Sequence, residues 1–201
     1  MRSVLNIITS ILLITAASCL CATCSSNSDE PTTTRELHFI GDSHVKLWDV
    51  ASWFPTYSTY NYGISGTGIA HIQNYADHFI GKDVVVIVGT NDLKLFTDQE
   101  SEQYVKNYVQ ALEDLGAHQL FLFSIFPKSK ELCKYTIDDN NKARRVNALI
   151  KQAIVKKSFI YIDVYDLLDS DGYMNPAYSD DGQHLSQTGY ELITKQLMRV
   201  L

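Results

Sequence analysis

One short segment of the chain could supply a nucleophile. Leu37, Phe39 and Ile40 form an apolar run that is typical of a buried strand, and Gly41 ends it. Ser43 would then lie at the carboxyl end of that strand, where ligands bind in open α/β sheets. A serine there can offer its hydroxyl to a substrate and its backbone N–H to a developing oxyanion. Because Gly, Asp and Ser are also ordinary turn residues, this segment alone does not establish a site.

Three further polar segments follow predicted strands. They are Asn61–Gly66, Gly89–Asp92 and Asp181–His184, the last of which lies just before the final helix. All of them would meet the first segment at the carboxyl edge of one parallel sheet. That is how distant parts of a chain build one site.

The elements that position these segments alternate between strands and helices. Strands are predicted at Leu37–Ile40, Thr59–Tyr62, Val84–Val88, Leu120–Ile125 and Phe159–Val164. Helices are predicted at Trp48–Phe54, Ile69–Phe79, Glu100–Leu115, Lys142–Lys156 and Ser186–Leu201, with a polar irregular stretch at Lys128–Asn141. The β-branched third strand belongs at the sheet centre, where both faces are buried. The pattern predicts a three-layer α/β/α sandwich with a mostly parallel five-stranded sheet.

Together the four polar segments resemble the sequence blocks of the GDSL/SGNH hydrolases. The matching residues are Gly41-Asp42-Ser43, Gly63, Gly89-Thr90-Asn91-Asp92 and Asp181-Gly182-Gln183-His184. The resemblance covers roughly residues 37 to 201 and implies a flavodoxin-like hydrolase fold and ester hydrolysis without a metal or cofactor. His44 departs from the family name, which has leucine there. The first segment also lacks a Gly-x-Ser-x-Gly elbow, which argues against an ordinary α/β-hydrolase.

The resemblance also implies roles for single residues. Ser43 would be the nucleophile, His184 the base that takes its proton, and Asp181 the group that orients the imidazole. An oxyanion hole is implied at the N–H groups of Ser43 and Gly63 and at the side-chain amide of Asn91. Gly63 could instead be only a turn glycine, and Asn91 only the cap of a helix.

Residues next to these positions leave alternatives open. Asp180 could compete with Asp181 for the imidazole of His184, although the Asp-x-x-His spacing favours Asp181. Asp42 is expected to brace the turn. His44 could contact a substrate or be structural.

Several other residues could serve either the site or the framework. The stretch 128–141 could form one wall of a pocket or a solvated surface loop. The other histidines are expected to be structural or on the surface; they are His38, His71, His78 and His118. Aromatic residues near the first two segments could stack on sugars or belong to the core; they are Trp48, Trp53, Tyr57, Tyr60 and Tyr62.

The amino-terminal end predicts export. Residues 1–18 combine a positive start with an apolar run that suits a signal peptide and is short for a membrane span. Small residues before Cys19 resemble a bacterial lipoprotein cleavage box, while Cys24 has the more typical polar residues after it. An ordinary signal peptide is the third reading. Residues 19–35 are predicted to be a tether to a hydrolase domain at 36–201. The expected location is therefore extracytoplasmic: anchored by lipid in a bacterial envelope, or else secreted or periplasmic.

Composition narrows the class of partner. The 201 residues carry a net charge of -6 and no basic stripe, so a nucleic-acid partner is not expected. Cys133 is the one cysteine in the predicted domain, which leaves no internal disulfide.

These observations together predict a serine esterase that acts through an acyl-enzyme. The substrate would be a small-molecule or glycan ester with a small acyl group such as acetyl. A lysophospholipase or thioesterase of the same family is an alternative. A non-catalytic glycan-binding module is another, although every catalytic position is filled.

Overall fold

The computed structural model describes residues 34–133 and 138–201. The predicted signal peptide and both candidate lipidation sites, Cys19 and Cys24, lie outside these residues, as does most of the predicted tether. Among the described helices, none is both long and apolar enough to cross a membrane.

The end of the predicted tether that the structure describes is bound to the domain. The guanidinium of Arg35 pairs with the carboxylate of Asp83 at 2.6 Å and donates to the carbonyl of Leu201 at 2.8 Å. The carbonyl of Arg35 accepts the N–H of Ser58 at 3.1 Å. Arg35 therefore joins the start of the first strand to the last residue of the chain.

The described strands and helices alternate along the chain. The strands are β1 Glu36–Gly41, β2 Ser58–Gly63, β3 Asp83–Ile87, β4 Gln119–Phe123, β5 Phe159–Ile162, β6 Asp169–Ser170 and β7 Tyr173–Met174. The α-helices are α1 Ser43–Lys46, α2 Val50–Trp53, α3 Ile69–Gln73, α4 Ser101–Glu113, α5 Asp138–Ala153, α6 Tyr165–Leu168 and α7 Gln187–Met198. Short 3₁₀ turns cover Asp98–Glu100 and Pro176–Tyr178.

The main sheet has five parallel strands in the order β2-β1-β3-β4-β5. This confirms the predicted α/β fold with a mostly parallel five-stranded sheet. It is the doubly wound order of flavodoxin-like folds, in which ligands bind at the switch point between β1 and β3. Ser43 follows β1 and Asn91 follows β3, so both lie at that point.

Apolar side chains on both faces of the sheet make the outer two layers possible. Ile40 and Val86 pack on the face that α3, α4 and α5 cover. Phe39 and Val85, their neighbours in the strands, pack on the opposite face with residues of α1, α2 and α7. Alternating strand residues therefore bury both faces, as a sheet between two helical layers requires.

The helix predicted at Ile69–Phe79 ends early, at Gln73. Asp77 has a φ of 58°, which an α-helix does not contain. Its N–H donates to the carbonyl of Asp114, and the N–H of Phe79 donates to that of Leu115. Phe79 is still buried, because these turns attach residues 74–79 to the end of α4.

The polar stretch predicted as irregular at Lys128–Asn141 is irregular only in part, since α5 begins at Asp138 rather than Lys142. Asp138 and Asp139 fall in the first turn of this helix, where acidic residues are favourable. The amide of Asn140 is 2% exposed and holds the backbone N–H and carbonyl of Lys128 at 2.9 Å each. Asn140 is thus a buried support of the loop.

Two small elements between β5 and α7 were not predicted. Strands β6 and β7 form a two-stranded antiparallel hairpin. Asp171 and Gly172 at its turn have φ values of 54° and 86°, as a type I′ turn requires. The short helix α6 precedes this hairpin.

The aromatic residues that could have stacked on sugars belong largely to the framework. Trp48 is 1% exposed and packs edge-on against Phe39. Trp53 and Tyr57 pack against the same core. Tyr60, on the edge strand, stacks on the buried ring of His38 with ring centres 4.6 Å apart.

Candidate active site

The turn after β1 positions Ser43. A side chain on Gly41 would stand 1.8 Å from the carbonyl oxygen of Ile87, so only glycine permits this approach of β1 to β3. Asp42 caps α1, and its N–H donates to the same carbonyl at 3.1 Å. Ser43 therefore begins α1 at the carboxyl edge of the sheet, as predicted. Asp42 braces the turn.

The side chains of Ser43, His184 and Asp181 form a chain of hydrogen bonds. Nε2 of His184 lies 3.0 Å from Oγ of Ser43, and Nδ1 lies 2.7 Å from Oδ2 of Asp181. When Nδ1–H donates to the carboxylate, Nε2 is left to accept from the serine hydroxyl. This arrangement can move a proton from Ser43 to His184.

The loop around Asp181 holds its carboxylate in place. Oδ1 accepts the backbone N–H groups of Gln183 at 2.8 Å and His184 at 2.7 Å. Burial raises the pKa of Asp181, but the hydrogen bonds from the His184 ring and these N–H groups outweigh it and lower the pKa to about 2. Asp181 therefore stays ionised and can stabilise an imidazolium beside it. Asp180, the competing candidate, is exposed and makes no hydrogen bond or ion pair with His184.

Ser179 supports the same loop, a role that the sequence did not indicate. Its hydroxyl donates to the carbonyl of His184 at 2.6 Å and accepts the N–H of Gly182 at 2.9 Å. A serine two residues before an aspartate in a polar loop gives no distinctive sequence signal.

Two of the three predicted oxyanion donors have a hydrogen without a partner among the described residues. The N–H of Ser43, at the start of α1, has no hydrogen-bond partner among the described residues. The side-chain amide of Asn91 gives one hydrogen to the carbonyl of Thr67 at 2.8 Å, which leaves its second hydrogen. Residues 90–94 form turns, and the next helical element begins at Asp98, so Asn91 does not cap a helix.

The prediction for Gly63 is not supported. Its N–H already donates to Oδ1 of Asn61 at 2.9 Å. Asn61 is itself held, because Nδ2 donates to the carbonyls of Val45 at 2.8 Å and Trp48 at 3.2 Å. Glycine is needed at 63 for a steric reason, since a Cβ there would stand 2.2 Å from the backbone nitrogen of Lys46.

The turn Ile64–Thr67 presents other backbone donors. The N–H of Ile64 donates to the carbonyl of Gly41 at 3.0 Å, which fixes one end of the turn beside β1. The bond from Asn91 fixes the other end at Thr67. Between them, the N–H groups of Ser65 and Gly66 have no partner within the described part of the chain.

Asp92 connects α3, which follows this turn, to α4. Its buried carboxylate accepts the N–H of Ile69 at 2.9 Å and the hydroxyl of Tyr104 at 2.8 Å. A Cβ on Gly68 would collide with that carboxylate, at 1.8 Å. Burial raises the pKa of Asp92, and these hydrogen bonds lower it only in part.

The side chain of His44 is 1% exposed, which leaves almost none of its surface for a substrate to contact. Its ring lies between Asp42 and the carbonyl of Gln183. Of the two alternatives that the sequence leaves open for His44, its burial favours the structural role, since the ring is turned inward from the Ser43 turn.

A cavity of about 690 Å³ adjoins the Asp181 loop. Its lining includes Lys130, Asp171 and Asp181 together with the apolar side chains of Met174 and Pro176. The stretch predicted at 128–141 contributes residues 129–131, and the N–H of Ser129 donates to the carbonyl of Gly182 at 2.7 Å. The first part of that stretch is therefore a cavity wall. In the described chain, no three His, Cys, Asp or Glu side chains form a group that could hold a metal ion.

Comparison with solved structures supports the fold. The chain is similar to a GDSL-like lipase from Bacteroides thetaiotaomicron, with 18% identity, a TM-score of 0.66 and coverage of 83% of this chain and 87% of that one. A lipase/acylhydrolase from Enterococcus faecalis has 16% identity, a TM-score of 0.67 and coverage of 82% and 94%. A catalytic mutant of an acetylxylan esterase from Geobacillus stearothermophilus has 14% identity, a TM-score of 0.60 and coverage of 82% and 93%.

Two comparisons of the sequence, one with a curated protein and one with a family model, add to these structural similarities. The chain is 25% identical over 178 residues to an N-acylneuraminate cytidylyltransferase from Escherichia coli; the match covers 83% of this chain and 40% of that protein. The chain thus spans less than half the length of this curated relative. The model of the GDSL-like lipase/acylhydrolase family matches residues 40–192, which include every segment of the site. The chain belongs to the GDSL-like lipase/acylhydrolase family.

Proposed function

We propose that this acylhydrolase is a serine esterase in which Ser43 forms an acyl-enzyme. The observation that carries the proposal is the chain from Ser43 through His184 to Asp181, with distances of 3.0 Å and 2.7 Å. It starts at a serine fixed by a capped turn and ends at a carboxylate that stays ionised.

The proposed reaction uses this geometry in two steps. Oγ of Ser43 attacks the ester carbonyl carbon while Nε2 of His184 takes the hydroxyl proton. The tetrahedral oxyanion then collapses, the bond to the alkoxide breaks, and His184 protonates the departing alcohol. Water, deprotonated by His184, attacks the acyl-enzyme in the same way, releases the acid and restores the Ser43 hydroxyl. The ionised Asp181 stabilises the imidazolium in both halves.

Donors for the oxyanion come from three segments. The N–H of Ser43 and the free hydrogen of the Asn91 amide are two of them. In place of Gly63, we assign the third to the Ile64–Thr67 turn, through the N–H of Ser65 or Gly66. Fixed donors of this kind stabilise the transition state because the charge develops there.

A small acyl group on a hydroxylated alcohol, such as a glycan, suits the surroundings. The cavity beside Asp181 has charged and hydroxyl side chains among its lining residues, and these can form hydrogen bonds with the hydroxyl groups of a glycan. The side chain of His184 is 33% exposed, so the alcohol side of the substrate can extend into solvent. The similar structure of an acetylxylan esterase agrees with an acetyl ester of a glycan.

Turnover of p-nitrophenyl acetate tests the reaction. Ser43→Ala should lower kcat by on the order of a thousandfold while the fold is retained. A fluorophosphonate should label Ser43 alone, as read by peptide mass spectrometry. Labelling of another serine, or near-normal turnover by Ser43→Ala, would remove Ser43 from this role. Binding of acetylated glycans without turnover would favour the glycan-binding module instead.

The substrate class needs a separate comparison. Acetylated oligosaccharides, lysophospholipids and acyl thioesters should be offered to the wild type at equal concentrations. We expect the highest kcat/KM on an acetylated oligosaccharide. A higher value on a lysophospholipid or thioester would assign the protein to that branch of the family.

We also propose that the chain is exported and held at a bacterial membrane by lipid on Cys19, with Cys24 as the alternative. The support is the short apolar run, the small residues before Cys19 and the polar tether. One acyl chain binds a membrane only marginally, so stable anchoring needs several. Mass spectrometry of the mature amino terminus should find an acylated cysteine. An unmodified terminus would leave simple secretion.

A further inference from the structure

The ring of His44 joins the serine turn to the histidine loop. It is 1% exposed, with Nδ1 2.9 Å from Oδ1 of Asp42 and Nε2 3.0 Å from the carbonyl oxygen of Gln183. Both partners are acceptors, and Oδ1 also accepts the backbone N–H of His44 at 2.9 Å. A histidine donates from both ring nitrogens only in its imidazolium form.

Gln183 is the residue through which this ring reaches the site. It lies between Asp181 and His184 in the chain, and its N–H donates to Asp181 at 2.8 Å. Its carbonyl, on the other side, accepts from His44. Any movement of that carbonyl moves the backbone that carries His184.

The surroundings hold the ring in one orientation. Phe126 packs against it edge-on with ring centres 4.9 Å apart. The hydroxyl of Tyr190, from α7, donates to the carbonyl of His44 at 2.9 Å. The ring of His184 lies 5.7 Å away, centre to centre.

We propose that His44 is a positioning residue: its doubly protonated ring holds the Gln183 carbonyl to the Asp42 turn and so keeps His184 within hydrogen-bonding distance of Ser43. The functional part of this proposal rests on the proposed roles of Ser43 and His184. Leucine, which stands here in the family name, can fill the same space but cannot donate a hydrogen bond. In this chain, the hydrogen bonds of His44 to Asp42 and to the Gln183 carbonyl would form a polar clamp. At the same position leucine provides only packing.

The clamp depends on protonation. Its ring is faced by the ionisable groups of Asp42, Asp181, His184 and Tyr190. Burial lowers the pKa of His44, but the charge and hydrogen bond of Asp42 and the Gln183 carbonyl outweigh it, so the pKa is raised above 6.5. Because the folded-state pKa is the higher one, the contribution of the clamp is complete below about pH 6.5 and is lost as pH rises through that raised value.

Nitrogen NMR of the ¹⁵N-labelled full chain tests the clamp without any turnover. At pH 6.5 both ring nitrogens of His44 should have shifts of protonated nitrogens, with slowed solvent exchange of both hydrogens. A chemical shift typical of an unprotonated nitrogen, at either ring position, would overturn the proposal. This measurement holds even if Ser43 proves not to be the nucleophile.

Kinetics of His44→Gln and His44→Leu test the positioning role. Both should lower kcat for p-nitrophenyl acetate and the rate of fluorophosphonate labelling by roughly tenfold to a hundredfold, with KM nearly unchanged, because His184 is displaced. His71→Gln is the matched control: His71 is also buried, with Nε2 2.9 Å from the carbonyl of Tyr62. It should lower the melting temperature but leave kcat unchanged.

Folded His44 variants with wild-type kcat and labelling rates would refute positioning by this ring. If both variants fail to fold, the wild-type pH profile decides. An alkaline fall in kcat should then coincide with the NMR titration of His44, and a fall at a different pH would count against the clamp. A wild type that neither hydrolyses nor labels would refute the proposed function while leaving the NMR result intact.

Discussion

A side chain on Gly63 would stand 2.2 Å from the backbone nitrogen of Lys46. The end of β2 therefore lies directly against α1, the helix that begins with Ser43. The φ of Gly63 is outside the left-handed region, so its requirement for glycine is steric rather than conformational.

Gly63→Ala should accordingly destabilise the fold by about 1–3 kcal/mol through overpacking. Gly66→Ala is the comparison, since Gly66 has a φ of 78° but a Cβ there would meet nothing within 4 Å. Backbone strain alone should cost about 1–2 kcal/mol there. Thermal unfolding of both variants checks this, and we expect the larger drop in melting temperature for Gly63→Ala. An unchanged melting temperature in Gly63→Ala would show that α1 can shift to make room for the added methyl group at little cost.

The pH dependence of stability should report on Asp181. Its pKa is about 2 in the folded state against an ordinary value of 3.8. Because the folded value is the lower one, the ionised carboxylate stabilises the fold above about pH 4, and this contribution is lost as pH falls toward about 2. More than half of the side chain is exposed, so the effect should be about 1 kcal/mol or less.

Melting temperatures of the wild type and Asp181→Asn, measured from acid to neutral pH, check this prediction. The gap between them should be widest near neutral pH and should narrow below about pH 4. Asp180→Asn is the control, since Asp180 makes no hydrogen bond or ion pair within the described residues. A gap for Asp181→Asn that stays constant with pH would contradict the assignment.

Tyr104 should matter to catalysis through Asp92. Its hydroxyl donates to that buried carboxylate, which also holds the N–H of Ile69. Tyr104→Phe should destabilise the fold by about 1 kcal/mol. It should also lower kcat severalfold, because Asp92 connects the segment of Asn91 to the start of α3, which follows the Ile64–Thr67 turn.

Tyr108→Phe is the matched control for this variant. The hydroxyl of Tyr108 donates to the carbonyl of Val88 at 3.1 Å and does not touch Asp92. It should lower the melting temperature by a similar amount and leave kcat unchanged. If both variants changed kcat equally, the hydrogen bond from Tyr104 to Asp92 would have no specific effect on catalysis.

The sequence could predict the strands that position the site, because each strand depends on a local pattern of residue types. The β-branched run at Val84–Val88 required a central strand with two buried faces, which β3 is. Parallel strands then had to bring the segments of Ser43, Asn91 and His184 to one edge. Both features depend on residue types and sheet topology and not on the exact path of a loop.

The details that failed depend on contacts between distant residues. Local sequence could not show that Asn61 takes the N–H of Gly63, or that Gln183 offers its carbonyl to His44. The early end of α3 likewise depends on backbone bonds to the end of α4. One missed element did carry a local signal: Asp171-Gly172 is a typical hairpin turn pair.

Asn91 offers the sharpest test of the oxyanion hole, because the structure removes its role as a helix cap. Its amide donates one hydrogen to Thr67 and has a second for the substrate oxyanion. Since the charge on that oxygen develops in the transition state, Asn91→Ala should lower kcat by roughly a hundredfold to a thousandfold while KM changes little. Asn91→Asp should be at least as harmful, because a carboxylate cannot donate and would face both the Thr67 carbonyl and the growing negative charge.

The control for Asn91 is Asn61→Ala, which removes an asparagine of the neighbouring segment with only structural contacts. Asn61 holds the carbonyls of Val45 and Trp48 and the N–H of Gly63, so its loss should lower the melting temperature more than kcat. Measuring kcat, KM and melting temperature for all three variants separates the two roles. If Asn91→Asp retained wild-type kcat, or if Asn91→Ala changed only the melting temperature, the oxyanion would be stabilised by the backbone N–H groups without this amide.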